Sequence, residues 1–170
     1  MAYTTPKTWS TDEVVTATMM NTHIRDNMNA IKAPPTDHYT VNEASDYTTT
    51  STSFTDIDAT DLALTITTTG GDVMIGFHGG FDCSAGANVY VDVDLDGTRI
   101  GGDDGIHAAA VNATDFYGRI SFVWLVTSLS AGSHTFKLQW KTSAGTVKMF
   151  AGAGTANADV HPQFWVREVS

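Results

Sequence analysis

The chain has 170 residues, nine of them basic and nineteen acidic, for a formal charge of −10. That balance argues against nucleic acid and anionic lipid as partners, since both need a cationic face. The single cysteine, Cys83, excludes an intrachain disulfide and zinc sites built from CxxC pairs, and its expected place is that of a small, partly buried hydrophobe.

Charged residues make up only 16% of the sequence, so the polar surface must come from Thr, Ser, Asn and Gly, which suits strands and turns. No basic segment followed by an apolar run opens the chain, and the longest apolar stretch, Phe122 to Val126, is too short to span a bilayer. The expectation is a protein made and folded in a cytoplasm.

Residues 1–15 read as a polar arm carrying Pro6, Trp9, Val14 and Val15. A helix is expected over about 16–31, with Thr16 or Thr18 as cap, because Met20, Ile24, Met28 and Ile31 recur at spacings of four, four and three. Asn27 lies beside that stripe. A helix this short is marginal alone and must bury its stripe on its own sandwich, on sister copies or on another protein. Ala33-Pro34-Pro35 ends it as a stiff spacer, which favours a partner outside its own sandwich. Residues 1–35 thus form an arm and anchor helix, and residues 36–170 a second unit.

That second unit is read as strands separated by Gly-containing turns. Weak strands fall within 36–56. Leu62, Leu64 and Ile66 alternate with Ala63 and Thr65; Val73, Ile75 and Phe77 form a strand ended by Gly79-Gly80. Val91, Val93 and Leu95 alternate with Asp92, Asp94 and Asp96 before an Asp96-Gly97 turn. A long strand over 116–127 places Ile120, Phe122, Trp124 and Val126 on one face. Strands over 135–141, 147–151 and 163–169 follow. The fold class is all-β: an antiparallel β-sandwich, most simply a jelly roll, preceded by one short N-terminal α-helix.

Few constellations suggest chemistry. Asp92, Asp94, Asp96-Gly97 and Asp103 are spaced like a calcium loop, but their alternation with apolar residues favours a strand with a charged outer face. None of the six histidines is paired with another His or Cys at metal-ligand spacing, and no nucleophile elbow, HExxH or P-loop occurs. No cofactor and no enzymatic activity are expected. Asn112-Ala113-Thr114 is a glycosylation sequon with no secretion signal to give it meaning. Trp124, Trp140 and Trp165 read as core or subunit-interface residues.

Two stretches resemble known proteins. Thr5 to Ile31, T-P-K-T-W-S-T-D-E-V-V-T-A-T-M-M-N-T-H-I-R-D-N-M-N-A-I, resembles an opening segment of tailed-phage structural proteins, with Met20 where Leu is usual. Leu129 to Thr142 and Pro162 to Val169 resemble the closing strands of trimeric jelly-roll heads of the tumour-necrosis-factor-like type, found in phage fibre and decoration proteins. The resemblance implies a homotrimer in a virion, made in a bacterial host and bound to capsid, portal or tail proteins through its N-terminal segment. Trp9, Val14, Val15, Met20, Ile24, Met28 and Ile31 are then the attachment residues. Trp124, Trp140 and Phe164 are candidates for the three-fold axis. The rival expectation is a carbohydrate-binding module acting on a host-surface glycan, with Tyr47, Tyr90 or Tyr117 stacking on sugars.

Overall fold

The computed structural model describes residues 4–84, 86–110, 117–154 and 159–169. The chain enters through a helix. Ala17–Met20 runs through a π-helical turn at Asn21–Arg25 into Asp26–Lys32. Thr16 caps it: its Oγ1 accepts the Met19 N–H at 3.2 Å, satisfying a donor that the first turn leaves free. Ala33 leaves helical geometry, as a residue before proline must, and Pro34-Pro35 hands the chain to the first strand.

Twelve strands follow among the described residues: β1 (Thr36–Thr40), β2 (Tyr47–Thr49), β3 (Thr55–Asp56), β4 (Ala63–Thr68), β5 (Gly71–Cys83), β6 (Asn88–Leu95), β7 (Thr98–Arg99), β8 (His107–Ala110), β9 (Tyr117–Leu129), β10 (Gly132–Thr142), β11 (Val147–Met149) and β12 (Gln163–Glu168). All pairings are antiparallel. In the first sheet β5 carries β9 along one edge and β12 then β11 along the other, with β1 outside β12 and β2 outside β11. In the second, β10 and β6 are central; β3 and β4 flank β10, and β7 and β8 flank β6. The principal strands therefore read β1-β12-β5-β9 over β4-β10-β6-β8. That order is the jelly roll of an antiparallel β-sandwich.

Alternation explains the layers. Leu64 and Ile66 of β4, Phe136, Leu138 and Trp140 of β10, and Phe164 and Val166 of β12 all turn into one core. Phe77, Phe81 and Trp140 meet across it, with Phe77–Phe81 centroids 6.1 Å apart and Phe81–Trp140 6.4 Å. Burial on this scale is the dominant stabilising term of the sandwich. Cys83 is buried in the same cluster, and its thiol pKa is pushed up to about 11 by burial, with Asp82 adding to the effect.

Gly79-Gly80 does not end a strand, contrary to the sequence expectation. Strand β5 runs through both glycines to Cys83. They are packing devices: a Cβ at Gly79 would sit 2.6 Å from the Phe77 ring, and one at Gly80 3.0 Å from that of Phe150. The sequon Asn112-Ala113-Thr114 lies outside the described residues.

Candidate functional site

The N-terminal segment closes on itself before it meets anything else. Asn27 is buried, its Oδ1 accepting the Thr4 N–H at 2.8 Å and its Nδ2 donating to the Thr4 carbonyl at 2.7 Å. The reciprocal pair straps the arm along one side of the helix, like one rung of a sheet. Lys7 pairs with Glu13 at 2.7 Å and lies over the Trp9 ring, which meets His23 edge-on. The charge partner holds the Glu13 carboxyl below its usual value, the hydrogen bond from Lys7 being the main cause.

The apolar stripe turns the other way. Met20, Ile24, Met28 and Ile31 are all exposed, Met28 and Ile31 by 65% and 70%, and Trp9, Val14 and Val15 are exposed with them. The stripe is not spent on the chain's own sandwich. No helix among the described residues is long and apolar enough to cross a membrane.

The three axis candidates part company. Trp140 and Phe164 lie inside the sandwich, where strand alternation points them at the opposing sheet, so neither can face a symmetry axis. Trp124 reaches the surface because, among the described residues, β9 pairs only with β5 and is an edge; Val123 and Leu125 beside it are exposed too.

The spaced acids do not converge. Asp92 does not face solvent as alternation suggested. The loop after β7 covers it, its Oδ1 accepting N–H groups of Val93 and Gly101 and its Oδ2 pairing with Arg99 at 3.0 Å. Asp94 accepts the Gly97 N–H, Asp96 binds His134, and Asp103 offers only its carbonyl, to Lys141. Among the described residues no group of three or more His, Cys, Asp or Glu is arranged to hold a metal ion.

The tyrosines proposed as sugar platforms are otherwise engaged. The Tyr47 hydroxyl donates to Asp58 at 3.1 Å, and Lys141 lies over the Tyr90 ring. The side chain of Tyr117 lies outside the described residues. Tyr39 donates its hydroxyl within a Glu43–Asp61 carboxylate pair; the hydrogen bond to Glu43, burial and Asp61 all push its pKa up, so it stays protonated.

His134 forms a latch between two turns. Its Nδ1 lies 2.7 Å from Asp96 Oδ2 and its Nε2 2.9 Å from the Ser130 carbonyl, so both ring nitrogens face acceptors and the imidazolium is favoured. The hydrogen bond to Asp96 raises the His134 pKa from 6.5 against burial, with the Ser130 carbonyl helping. Burial raises the Asp96 carboxyl, but the Thr135 N–H and His134 outweigh it and the net shift is down from 3.8. A raised histidine contributes fully below 6.5 and fades as pH climbs through its folded value, while a lowered carboxyl contributes above 3.8 and fades on acidification. The latch is therefore strongest between about pH 4 and 6.5. Comparing unfolding midpoints of the wild type and Asp96→Asn checks this. The wild type's advantage should shrink from pH 6 to pH 8; an advantage that grows would refute the latch.

A groove of about 900 Å³ opens where the helix ends against the outer face of the first sheet. Ile31, Pro34 and Pro35 form one wall, and Met74, Trp165 and Arg167 the other. The indole of Trp165 lies across Gly76, where a Cβ would fall inside the ring. Trp165 is thus an outer-face residue, not core. The alternation of Phe164, Val166 and Glu168 against Trp165 and Arg167 carried that signal; the groove itself had none, because its walls are far apart in sequence.

No family model matches the chain, and no curated protein matches it. Solved structures with some similarity include the T13 particle of infectious bursal disease virus (16% identity over 77% of this chain and 34% of that chain, TM-score 0.39) and the VP2 subviral particle of that virus (15% identity, 79% and 37%, TM-score 0.37). Dimeric latent PorU from Porphyromonas gingivalis is another (12% identity, 80% and 13%, TM-score 0.38). This chain spans 34%, 37% and 13% of those three chains, respectively.

Proposed function

We propose that the chain is a non-enzymatic structural component of a phage virion, a fibre or decoration protein that works as a homotrimer and joins the particle through its N-terminal segment. One observation carries this reading. A helix with a continuous apolar stripe is capped, strapped by its own arm, and held off its own sandwich by Pro34-Pro35 with the stripe still exposed. Fully burying an exposed side chain of this kind contributes about 1.5–3 kcal/mol; with these four 41–70% exposed, covering the rest contributes roughly half of that each, enough in sum to help dock the segment on capsid, portal or tail protein. The resemblance of Thr5–Ile31 to phage attachment segments names the kind of partner. The open β9 edge with Val123, Trp124 and Leu125 supplies a surface for sister copies.

The experiment is removal of residues 1–35. The truncated protein is expected to stay folded and trimeric by circular dichroism and light scattering, yet to be absent from purified particles. Normal incorporation of the truncate would end the attachment reading. A folded but monomeric truncate would move the trimer contact from the sandwich to the helix.

A further inference from the structure

The groove beside Trp165 belongs to a face unlike the rest of this acidic molecule. Antiparallel register fixes which side chains point outward there: Thr36 and His38 from β1, Trp165 and Arg167 from β12, Met74 and His78 from β5, Arg119 and Val123 from β9. Between Met74 and Gly80 no carboxylate points out from this part of the sheet. The acids at its two ends are engaged: Asp72 accepts the Ser128 N–H at 2.9 Å, and Asp82 lies 3.3 Å from Lys148. Glu168 also lines the groove, but it is buried and its Oε1 is taken up, accepting the N–H and hydroxyl of Thr69. Arg119 and Arg167 have no ion-pair partner among the described residues, although the chain carries ten more acids than bases. A face that keeps its cations free and its acids engaged is complementary to an anion.

We infer that this groove binds an acidic saccharide, with a sugar ring stacked on the Trp165 indole and its carboxylate or phosphate on Arg167. Three features fit that ligand. The indole is pinned flat by Gly76 and is preorganised as a platform, so little side-chain freedom is lost on stacking. Arg167 is exposed beside it, and a guanidinium fork matches a carboxylate or phosphate in two hydrogen bonds. The groove volume lies within the usual range for small-ligand sites, and its rim offers His38, Gln163 and Thr36 to hydroxyl groups. The site uses none of the attachment residues except Ile31 at one wall, so it stands or falls separately from the attachment proposal.

The test titrates the full chain, by calorimetry, with trigalacturonic acid, 3′-sialyllactose and mannose 6-phosphate, and with maltotriose, lactose and mannose as neutral counterparts. At least one acidic probe is expected to bind, its neutral counterpart binding about tenfold or more weakly, with affinity falling as salt rises. Trp165→Ala and, independently, the exposed Arg167→Ala should each weaken binding by about tenfold or more, while Trp9→Ala leaves it unchanged. Circular dichroism checks that the variants are folded. Silence from all three acidic probes at about 10 mM would overturn the inference. So would equal binding of neutral sugars, or binding indifferent to both variants. If no probe binds and Trp165→Ala instead dissociates the oligomer, the face is a contact between copies and not a sugar site.

Discussion

Phe81→Ala is expected to cost about 3–5 kcal/mol, the range for emptying a fully buried aromatic site. Phe81 has no exposed surface and stands near the C-terminal end of β5, between the ladders to β9 and β11. Its ring meets Phe77 of the same sheet at a 64° interplanar angle and Trp140 of the opposite sheet at 56°. It therefore ties the two layers together, and tilted aromatic pairs of this kind add about 0.5–1.5 kcal/mol beyond area burial. The neighbouring strands are fixed by their ladders on both sides and cannot collapse into the void. Against a usual domain stability of about 5–15 kcal/mol, the variant loses roughly a fifth or more of its margin. The guanidinium midpoint should drop with the slope unchanged. A loss below about 1 kcal/mol would mean that the sheets do not share this contact.

Asp92→Ala is the second large effect, about 2–4 kcal/mol, and it arises from polar groups instead of volume. The carboxylate accepts two backbone N–H groups, from Val93 at 2.7 Å and Gly101 at 2.9 Å, and pairs with Arg99. Truncation leaves those donors covered and without acceptors. Arg99 remains partly solvated and keeps its bond to the Gly102 carbonyl and its place over Phe54, so the full penalty of a stranded buried charge is not reached. Burial raises the Asp92 carboxyl pKa despite the two N–H groups and Arg99. A carboxyl raised on folding opposes stability while ionised, so the neutral amide of Asp92→Asn escapes that cost and can still accept both N–H groups. Asn is therefore expected to lose at least about 1 kcal/mol less than Ala at neutral pH. Hydrogen exchange at the Gly101 amide should quicken in the Ala variant. Equal losses for Ala and Asn would show that acceptance by the side-chain oxygen is not what holds the loop.

These two sites also separate the two kinds of information in the chain. Phe81 was not singled out from sequence because Gly79-Gly80 reads locally as a stop. Only the rings of Phe77, two residues back on the same strand, and of Phe150, just past the neighbouring β11, reveal that the glycines make room for aromatics inside a continuous strand. Asp92 read as solvent-facing because alternation says which side of a sheet a residue takes, not whether a loop later covers that side. Arg99 and Gly101, seven and nine residues on, supply the cover.

The sequence by itself determined the all-β class, the helix with a threonine cap at Thr16 or Thr18 and its apolar stripe, and the break at Pro34-Pro35. Each is a matter of short-range periodicity and backbone sterics, which neighbouring residues decide among themselves. Tertiary structure alone decided which aromatics are core and which are surface. Trp124, Trp140 and Trp165 sit in similar alternating strands, yet one lies on an open edge, one between the sheets and one flat across Gly76. It likewise decided that Asn27 straps the arm and that Trp165, Arg167 and the helix end share a groove. Such contacts join segments up to about 135 residues apart, Ile31 and Trp165 among them. Strand order and register bring those segments together, and no local pattern in the chain encodes either.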